Sequence, residues 1–591
     1  MSSLKKFITK AVSLLPPPIE KELPFLVLFF LLIAFPLIKD FLATLVTSRQ
    51  FIVEPLIPIC LALFISYLFT IVVYYSHKHW IKVFFYTIGC VLFSVDTFLW
   101  LEFHKSINPQ ILTLIGETNT TEASEFLSTF LLNFKGAICI IIIALCITII
   151  CIAEKKRTSI ASYLNQHRFA RRIIYTFTFS LSIIALYGSN VYNQLFTCRI
   201  DQDINTGAYN DSFTSTVFAL RSIAYTNYEM KSAIQKTKEI KGGNIKERDS
   251  LNVILVIGES YIKHHAQLYG YLLPTTPRLM NEEKKGNLYV FNNVVTPYNY
   301  TTSVMKNMMC CNSIANNESW YDSPFVPTIF KRSGMKVDYW DNQRISSNKI
   351  SSIWDFTLNS FLFNKDICNI SYDRTAPHGF KLDDQLINDY AHNNNKVLGK
   401  YNFIIFHLMG QHIDPKDRYP HDKFSRFSAK DIRNNAPYMT EGKKQDIANY
   451  DNATYYNDFV INHIINLYRN KNAVLVYFSD HGEEVYDYRD SKGRVEAAPG
   501  QEKNCLKYQF EVPFVIWCSD KYKALHPDII RRIKASLNRP FMTDNTCHLL
   551  FDLAGLKTIY YRPERDLIST KFKPSKRIVN NNTDFDAVMR K

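Results

Sequence analysis

The chain has 591 residues, enough for roughly three to five domains of ordinary size, or fewer large ones. With 47% hydrophobic and 21% charged residues, and only 19 Gly and 23 Pro, it is not a disordered, collagen-like or small disulfide-scaffold chain. The formal charge of +15 comes from 69 Lys and Arg against 54 Asp and Glu. No nucleic-acid-binding motif accompanies it, so no nucleic-acid partner is expected; the excess sits beside apolar runs and over the surface. The mean hydropathy of -0.11 averages two unlike regions, apolar runs over residues 1–192 and ordinary globular composition over 240–591.

Five apolar stretches reach the 20 or so residues needed to cross a bilayer, near 24–45, 52–75, 80–103, 130–152 and 173–192. The first has no small-residue cleavage site after it, so it reads as a span and not a signal peptide. Basic residues cluster before the first span (Lys5, Lys6, Lys10, Lys21), between the second and third (Lys78, Lys82) and between the fourth and fifth (Lys155, Lys156, Arg157, Arg168, Arg171, Arg172). The positive-inside rule puts these segments in the cytoplasm and everything after residue 192 outside, which in a Gram-negative cell is the periplasm. Residues 193–245 read as a juxtamembrane connector, with an amphipathic helix within Ser212–Lys238 that carries Phe218, Ile223 and Tyr225 and is expected to lie against membrane lipids. Gly242-Gly243 marks its end.

From residue 246 to 591, short apolar runs alternate with helical stretches. The strand candidates are Asn252–Ile257, Tyr289–Asn293, Lys336–Trp340, Phe403–His407, Ala473–Phe478 and Val512–Trp517. Such runs predict an α/β domain with a buried, mainly parallel central sheet, which binds ligands at the carboxyl ends of its strands.

Three of those ends carry unusual polar residues: Glu259-Ser260 after Val-Ile-Gly, Asp480-His481-Gly482-Glu483 after Val-Tyr-Phe-Ser, and His407 with His412 in His-Leu-Met-Gly-Gln-His. Carboxylates and imidazoles so placed suit a zinc site. Asp480 and His481 would face opposite ways within a straight strand, so they can share an ion only if the strand ends there, with Gly482 supplying the turn. A nucleophile is offered by Thr301 or Thr302, which would open a helix after Phe291-Asn-Asn-Val-Val-Thr-Pro-Tyr-Asn-Tyr; helix N-termini attract phosphate. Seven cysteines lie outside the apolar runs, none in a zinc-type spacing, and in an exported domain some of them would pair.

The order and spacing of Val-Ile-Gly-Glu-Ser, Leu-Tyr-Gly-Tyr, Thr-Thr-Pro, Phe-Asn-Asn-Val-Val and Ser-Asp-His-Gly-Glu, behind five spans, resemble the bacterial phosphoethanolamine transferases. These are inner-membrane enzymes with a periplasmic catalytic domain of alkaline-phosphatase type. The resemblance covers nearly the whole chain. It implies zinc, one ion or with a second, held by Glu259, Thr301, Asp480 and His481, with Thr301 as nucleophile because it lies ten residues after Phe291. It implies that His412 contacts the substrate phosphate, and that Asn119 and Glu122, in the loop between the third and fourth spans, bind the ethanolamine head group. The implied donor is phosphatidylethanolamine and the implied acceptor an envelope glycolipid or glycan.

Two departures qualify the match. The lipid A-modifying branch carries Cys-Gly-Thr-x-Thr where this chain has Pro297-Tyr-Asn-Tyr-Thr301, closer to the branch that modifies core sugars or glucans. A second His some twelve residues after Asp-His is also missing here, the next being His526, which leaves Arg489, Lys492 or Arg494 as replacements. The competing readings are a phosphoglycerol transferase, a membrane sulfatase (no Cys/Ser-x-Pro-x-Arg lies near residue 301) and a binding protein with a degenerate hydrolase domain.

Overall fold

The structure, a computed structural model, describes residues 16–38, 56–103, 107, 134–187, 211–343, 362–394, 399–412, 414–494, 497, 500–580 and 582–590. Its contacts divide it into two units, Met1–Thr226 and Asn227–Lys591.

The first unit is helical: α1 Pro16–Ile33, α2 Leu56–Ser76, α3 His79–Phe103, α4 Phe134–Lys155, α5 Arg157–Gln166 and α6 Arg168–Tyr187. Among the described residues three helices are long and apolar enough to span a membrane, Pro58–Ser76, His79–Leu101 and Ala137–Lys155. They coincide with the second, third and fourth expected spans. The other two fall on α1, which carries Glu20, Lys21, Glu22 and Pro24, and on α6, which opens with Arg168, Arg171 and Arg172. In the third helix only 6% of the apolar window is buried, and Ile140, Ile141, Leu145 and Ile149 lie more than half exposed. Water does not tolerate such a surface, whereas lipid does. At one end of the bundle Lys82 bonds to Glu22 and to Glu154 (3.0 Å), Arg157 bonds to Glu22, and Tyr86 donates to Glu154 at 2.8 Å. This network lets charged groups be buried between apolar helices.

The expected connector helix is α7, Ser212–Glu239, and the division between units falls within it. Buried Asp211 caps it by accepting from Phe213 N and Thr214 N. Phe213, Val217 and Phe218 pack into the helical unit, while Met230, Ala233 and Ile234 pack against the core of the second.

That second unit is built on a seven-stranded sheet. In chain order its main elements are β1 Leu251–Gly258, α8 Pro277–Lys284, β2 Leu288–Phe291, α9 Thr301–Met308, α10 Val326–Arg332, β3 Lys336–Asp341, β4 Arg374–Thr375, α11 Asp383–Asn394, β5 Tyr401–His407, α12 Glu441–Tyr468, β6 Ala473–Ser479 and β7 Phe514–Cys518. The spatial order is β2-β7-β6-β1-β5-β3-β4. All six expected strands are present; the added one is the two-residue edge strand β4, too short to leave a periodic signal. The sheet is mixed: β7 runs antiparallel to both β2 and β6, while β6, β1, β5, β3 and β4 pair in parallel.

Along β1, Val253, Leu255 and Ile257 enter one core while Ile254 and Val256 enter the other. Both faces are therefore buried, and the apolar run is continuous where a half-exposed strand would alternate. Every described cysteine is a free thiol, so the expected pairing is not found there; Cys198 lies outside the described residues. Cys310, Cys505, Cys518 and Cys547 act as small buried apolar groups.

Behind the sheet's carboxyl edge, His265 is held between Asp451 (Nδ1, 2.7 Å) and Asp487 (Nε2, 2.8 Å). Burial alone would depress the imidazole, but the two carboxylates raise its pKa from 6.5 to about 10. The raised folded value makes this stabilisation complete below pH 6.5 and lost as pH climbs through about 10. His265→Gln is therefore expected to lower stability by about 3 kcal/mol at pH 6. The gap from wild type should shrink toward pH 10 in thermal unfolding of the detergent-solubilised chain; a gap independent of pH would contradict the ion-pair assignment.

Candidate active site

The carboxyl ends of β1 and β6 are adjacent parallel strand ends, with Gly258 paired to Ser479. Each strand stops just short of its polar residues. Glu259 leaves β1 fully buried, and Ser260 follows in the left-handed region at φ 54°. This strained turn points the Ser260 hydroxyl back to donate to Glu259 Oε1 at 2.7 Å. After β6, Asp480 N donates to Gly258 O at 3.0 Å. Asp480 Oδ1 accepts from Ser260 N (3.1 Å) and His481 N (2.7 Å). The chain then runs close under Tyr508, where a Cβ on Gly482 would lie 2.1 Å from the Tyr508 carbonyl oxygen. Gly482 is thus required for a close approach, and its φ is not in the positive region.

His481 Nδ1 lies 2.9 Å from Gly482 O; a carbonyl only accepts, so Nδ1 carries the proton and Nε2 presents its lone pair. Nε2 is 3.4 Å from Glu259 Oε1, 3.2 Å from Asp480 Oδ2 and 3.3 Å from Thr301 Oγ1. Thr301, the first residue of α9, donates to Glu259 Oε2 at 3.0 Å. Of the two threonines considered, Thr301 therefore faces the cluster; Thr302 is buried. Two carboxylates, an imidazole and a hydroxyl converge, and the ligand atoms of Glu259, Asp480 and His481 lie within 4.8 Å of one another.

The electrostatics are those of a cation site. Burial, and then the Glu259 charge, push Asp480 well above the usual carboxylate range. Burial would raise Glu259 too, but His481, His412 and Arg494 outweigh it and hold that carboxyl low. Burial first, then the Arg494 charge, lower His481 from 6.5 to about 3, which keeps the imidazole neutral as a ligand must be. Asp480 Oδ2 is buried without a hydrogen-bond partner. An orphaned carboxylate oxygen beside a second carboxylate and an available imidazole nitrogen fits a divalent ion with mixed N and O preference, as zinc has.

His412 borders this cluster. Its backbone N–H donates to Met409 O at 3.1 Å, and its ring is near enough to bear on Glu259, His481 and Glu483. His407, read from sequence as a strand-end candidate, is not part of the grouped ligand atoms; its Nδ1 pairs with Asp341 Oδ2 at 2.9 Å. Asn119 and Glu122 lie outside the described residues.

Sequence reasoning missed Gln343, just past β3, whose Nε2 donates to Glu259 Oε2 (2.8 Å) and to Leu408 O (2.9 Å). It also missed Asp383, which accepts from Met409 N and Gly410 N and so anchors the loop leading to His412. Gly410 sits at φ +49°, where a Cβ would lie 2.7 Å from Glu259 O. The one signal for Gln343 was its place after a strand of the same sheet, since an amide carries no ionisable signature.

The sulfatase family profile matches residues 251–556, and the chain belongs to that family. The chain is 28% identical to the phosphoethanolamine transferase EptC of Escherichia coli over 523 residues, 85% of each chain. It is 30% identical to the phosphoethanolamine transferase CptA of Salmonella typhimurium over 339 residues, 56% of this chain and 55% of that protein. The crystal structure of the C-terminal periplasmic domain of Escherichia coli EptC in complex with Zn matches 59% of this chain and 96% of its own, with 29% identity and a TM-score of 0.50.

Because Gln343 holds Glu259 in place, Gln343→Ala is expected to weaken divalent-ion binding roughly 10–100-fold, read by competition with a chromophoric chelator. Unchanged affinity would show that the Ser260 and Thr301 contacts suffice.

Proposed function

We propose that this chain transfers phosphoethanolamine from phosphatidylethanolamine to an envelope glycolipid or glycan through a covalent adduct on Thr301. The carrying observation is the Thr301 hydroxyl, 3.0 Å from Glu259 and 3.3 Å from His481 at the mouth of the carboxylate pair. The relatives named as phosphoethanolamine transferases, one of them solved with Zn, support the same reading. Glu259, Thr301, Asp480 and His481 would hold zinc, which when bound supplies Lewis acidity and lowers the pKa of the hydroxyl it touches.

The chain's own groups then account for the chemistry. Glu259 accepts the Thr301 hydroxyl hydrogen bond and aligns Oγ1 for attack. In the first transfer the Thr301 Oγ–phosphorus bond forms as the bond from phosphorus to the diacylglycerol oxygen breaks; the Thr301 proton passes to Glu259 or to water, and His412 or a water supplies the proton that the leaving oxygen takes up. In the second, an acceptor hydroxyl or phosphate oxygen bonds to phosphorus, the Oγ–phosphorus bond breaks, and Thr301 regains its proton. Such transfers depend on positioning and charge neutralisation, which this cluster provides.

The same reading has five spans within residues 1–192, a connector over 193–245, a periplasmic catalytic domain over 246–591, and Asn119 and Glu122 at the donor head group. Pro297-Tyr-Asn-Tyr favours a core-sugar or glucan acceptor over lipid A.

Thr301→Ala is expected to reduce transfer to background while preserving the fold, read by thermal unfolding. Thr301→Ser should retain a measurable fraction. Intact-mass analysis of the quenched wild-type enzyme should find a phosphoethanolamine increment on Thr301; a phosphoglycerol increment would move the chain to the competing transferase class. Near-normal turnover by Thr301→Ala would overturn the nucleophile assignment.

A further inference from the structure

Three basic side chains follow Asp480-His481 in the stretch that lacks a second histidine, and the structure separates them. Arg489 is consumed by Glu484, with Nε at 2.6 Å and a second nitrogen at 2.7 Å. Lys492 faces Asp414 (3.4 Å) and Asp446 (3.7 Å). Arg494 alone turns into the site: its guanidinium donates to His481 Nε2, and the same nitrogen lies 4.0 Å from Glu259 Oε1. Among the described residues that long approach is its only ion pair.

A guanidinium keeps its charge at any working pH and has no lone pair to offer a metal. It therefore stands beside the ligand set as a positive charge that cannot be a ligand. Among the described residues Glu259, Asp480 and His481 form the one group of metal-binding side chains, sufficient for a single ion with Thr301. A second divalent ion beside them would have to sit against the Arg494 charge; of the two carboxylates after Gly482, Glu484 is taken by Arg489, and buried Glu483 stands near Arg494 itself, outside the grouped ligand atoms. A guanidinium fork is instead matched in shape to two phosphoryl oxygens.

We propose that Arg494 is the second positive charge of a one-metal phosphoryl site, binding the non-bridging oxygens of the transferred phosphate where a two-metal enzyme would use its second ion. When an ion takes the His481 Nε2 lone pair, the Arg494 N–H groups are released toward the substrate side of the cluster. The proposal rests on the phosphoryl-transfer reading above, but its first test does not need turnover.

The test uses the purified full-length chain and Arg494→Ala, Arg494→Lys and Arg494→His, with zinc per chain measured by elemental mass spectrometry alongside transfer kinetics. Wild type and Arg494→Ala should each hold one zinc, and Arg494→Ala should lose about 10²–10³-fold in kcat/KM. Arg494→Lys, with the charge but not the fork, should fall between them, and Arg494→His, which offers an imidazole, should admit a second zinc. Two zinc ions in the wild type would overturn the proposal, as would an Arg494→Ala variant within about three-fold of wild-type kcat/KM with its single zinc retained. Loss of the zinc itself in Arg494→Ala would assign Arg494 a structural role and also overturn it. Should the wild type fail to transfer phosphoethanolamine, the function reading fails, while the zinc count still decides whether the site is mononuclear.

Discussion

Two carboxylates, Glu259 and Asp480, are forced together in a pocket that excludes water, and the rest of the catalytic unit is arranged around that repulsion. Neither group is exposed, so solvent cannot screen one from the other. A compact divalent charge is the economical resolution, and the site supplies what such an ion needs: an oriented imidazole lone pair, an unpartnered oxygen and a hydroxyl on a helix end. The supports are backbone devices as much as side chains. The left-handed turn at Ser260 aims both its hydroxyl and its N–H at the two acids.

Thr301 is held as firmly from its other side. Lys306, one turn and a half along α9 from Thr301, is buried against Glu229 of α7 at 3.3 Å and lies 4.9 Å over the Trp320 ring. Trp320 Nε1 in turn donates to Glu229 Oε1. A buried ion pair of this kind contributes specificity of placement more than net stability, because desolvation offsets much of its attraction. Here the placement it fixes is that of the helix whose first residue is Thr301.

Polar pairs at the neighbouring strand ends divide the labour. His407 Nδ1 pairs with Asp341, and Asp341 also accepts from Gln343 N at 2.6 Å. The β3 end is thereby shaped to deliver Gln343 to Glu259. A histidine that looks like a ligand in sequence is thus joined to Glu259 through an aspartate and an amide.

The amino-acid sequence by itself determined the apolar strands of the catalytic unit and the membrane character of the N-terminal region. Both follow from composition over short windows: a strand buried on both faces has nowhere to put a polar residue, and a helix in lipid has nothing to bond a charge. It also singled out Glu259, Asp480 and His481, because ionisable residues closing an apolar run are rare. Only the tertiary structure decided that β7 runs antiparallel, that the described cysteines stay unpaired, that Gln343 serves Glu259, and which of Arg489, Lys492 and Arg494 enters the site. Those outcomes depend on which distant segment packs alongside, and a basic residue in a polar loop reads the same whether its partner is a carboxylate, as for Arg489, or a buried imidazole, as for Arg494.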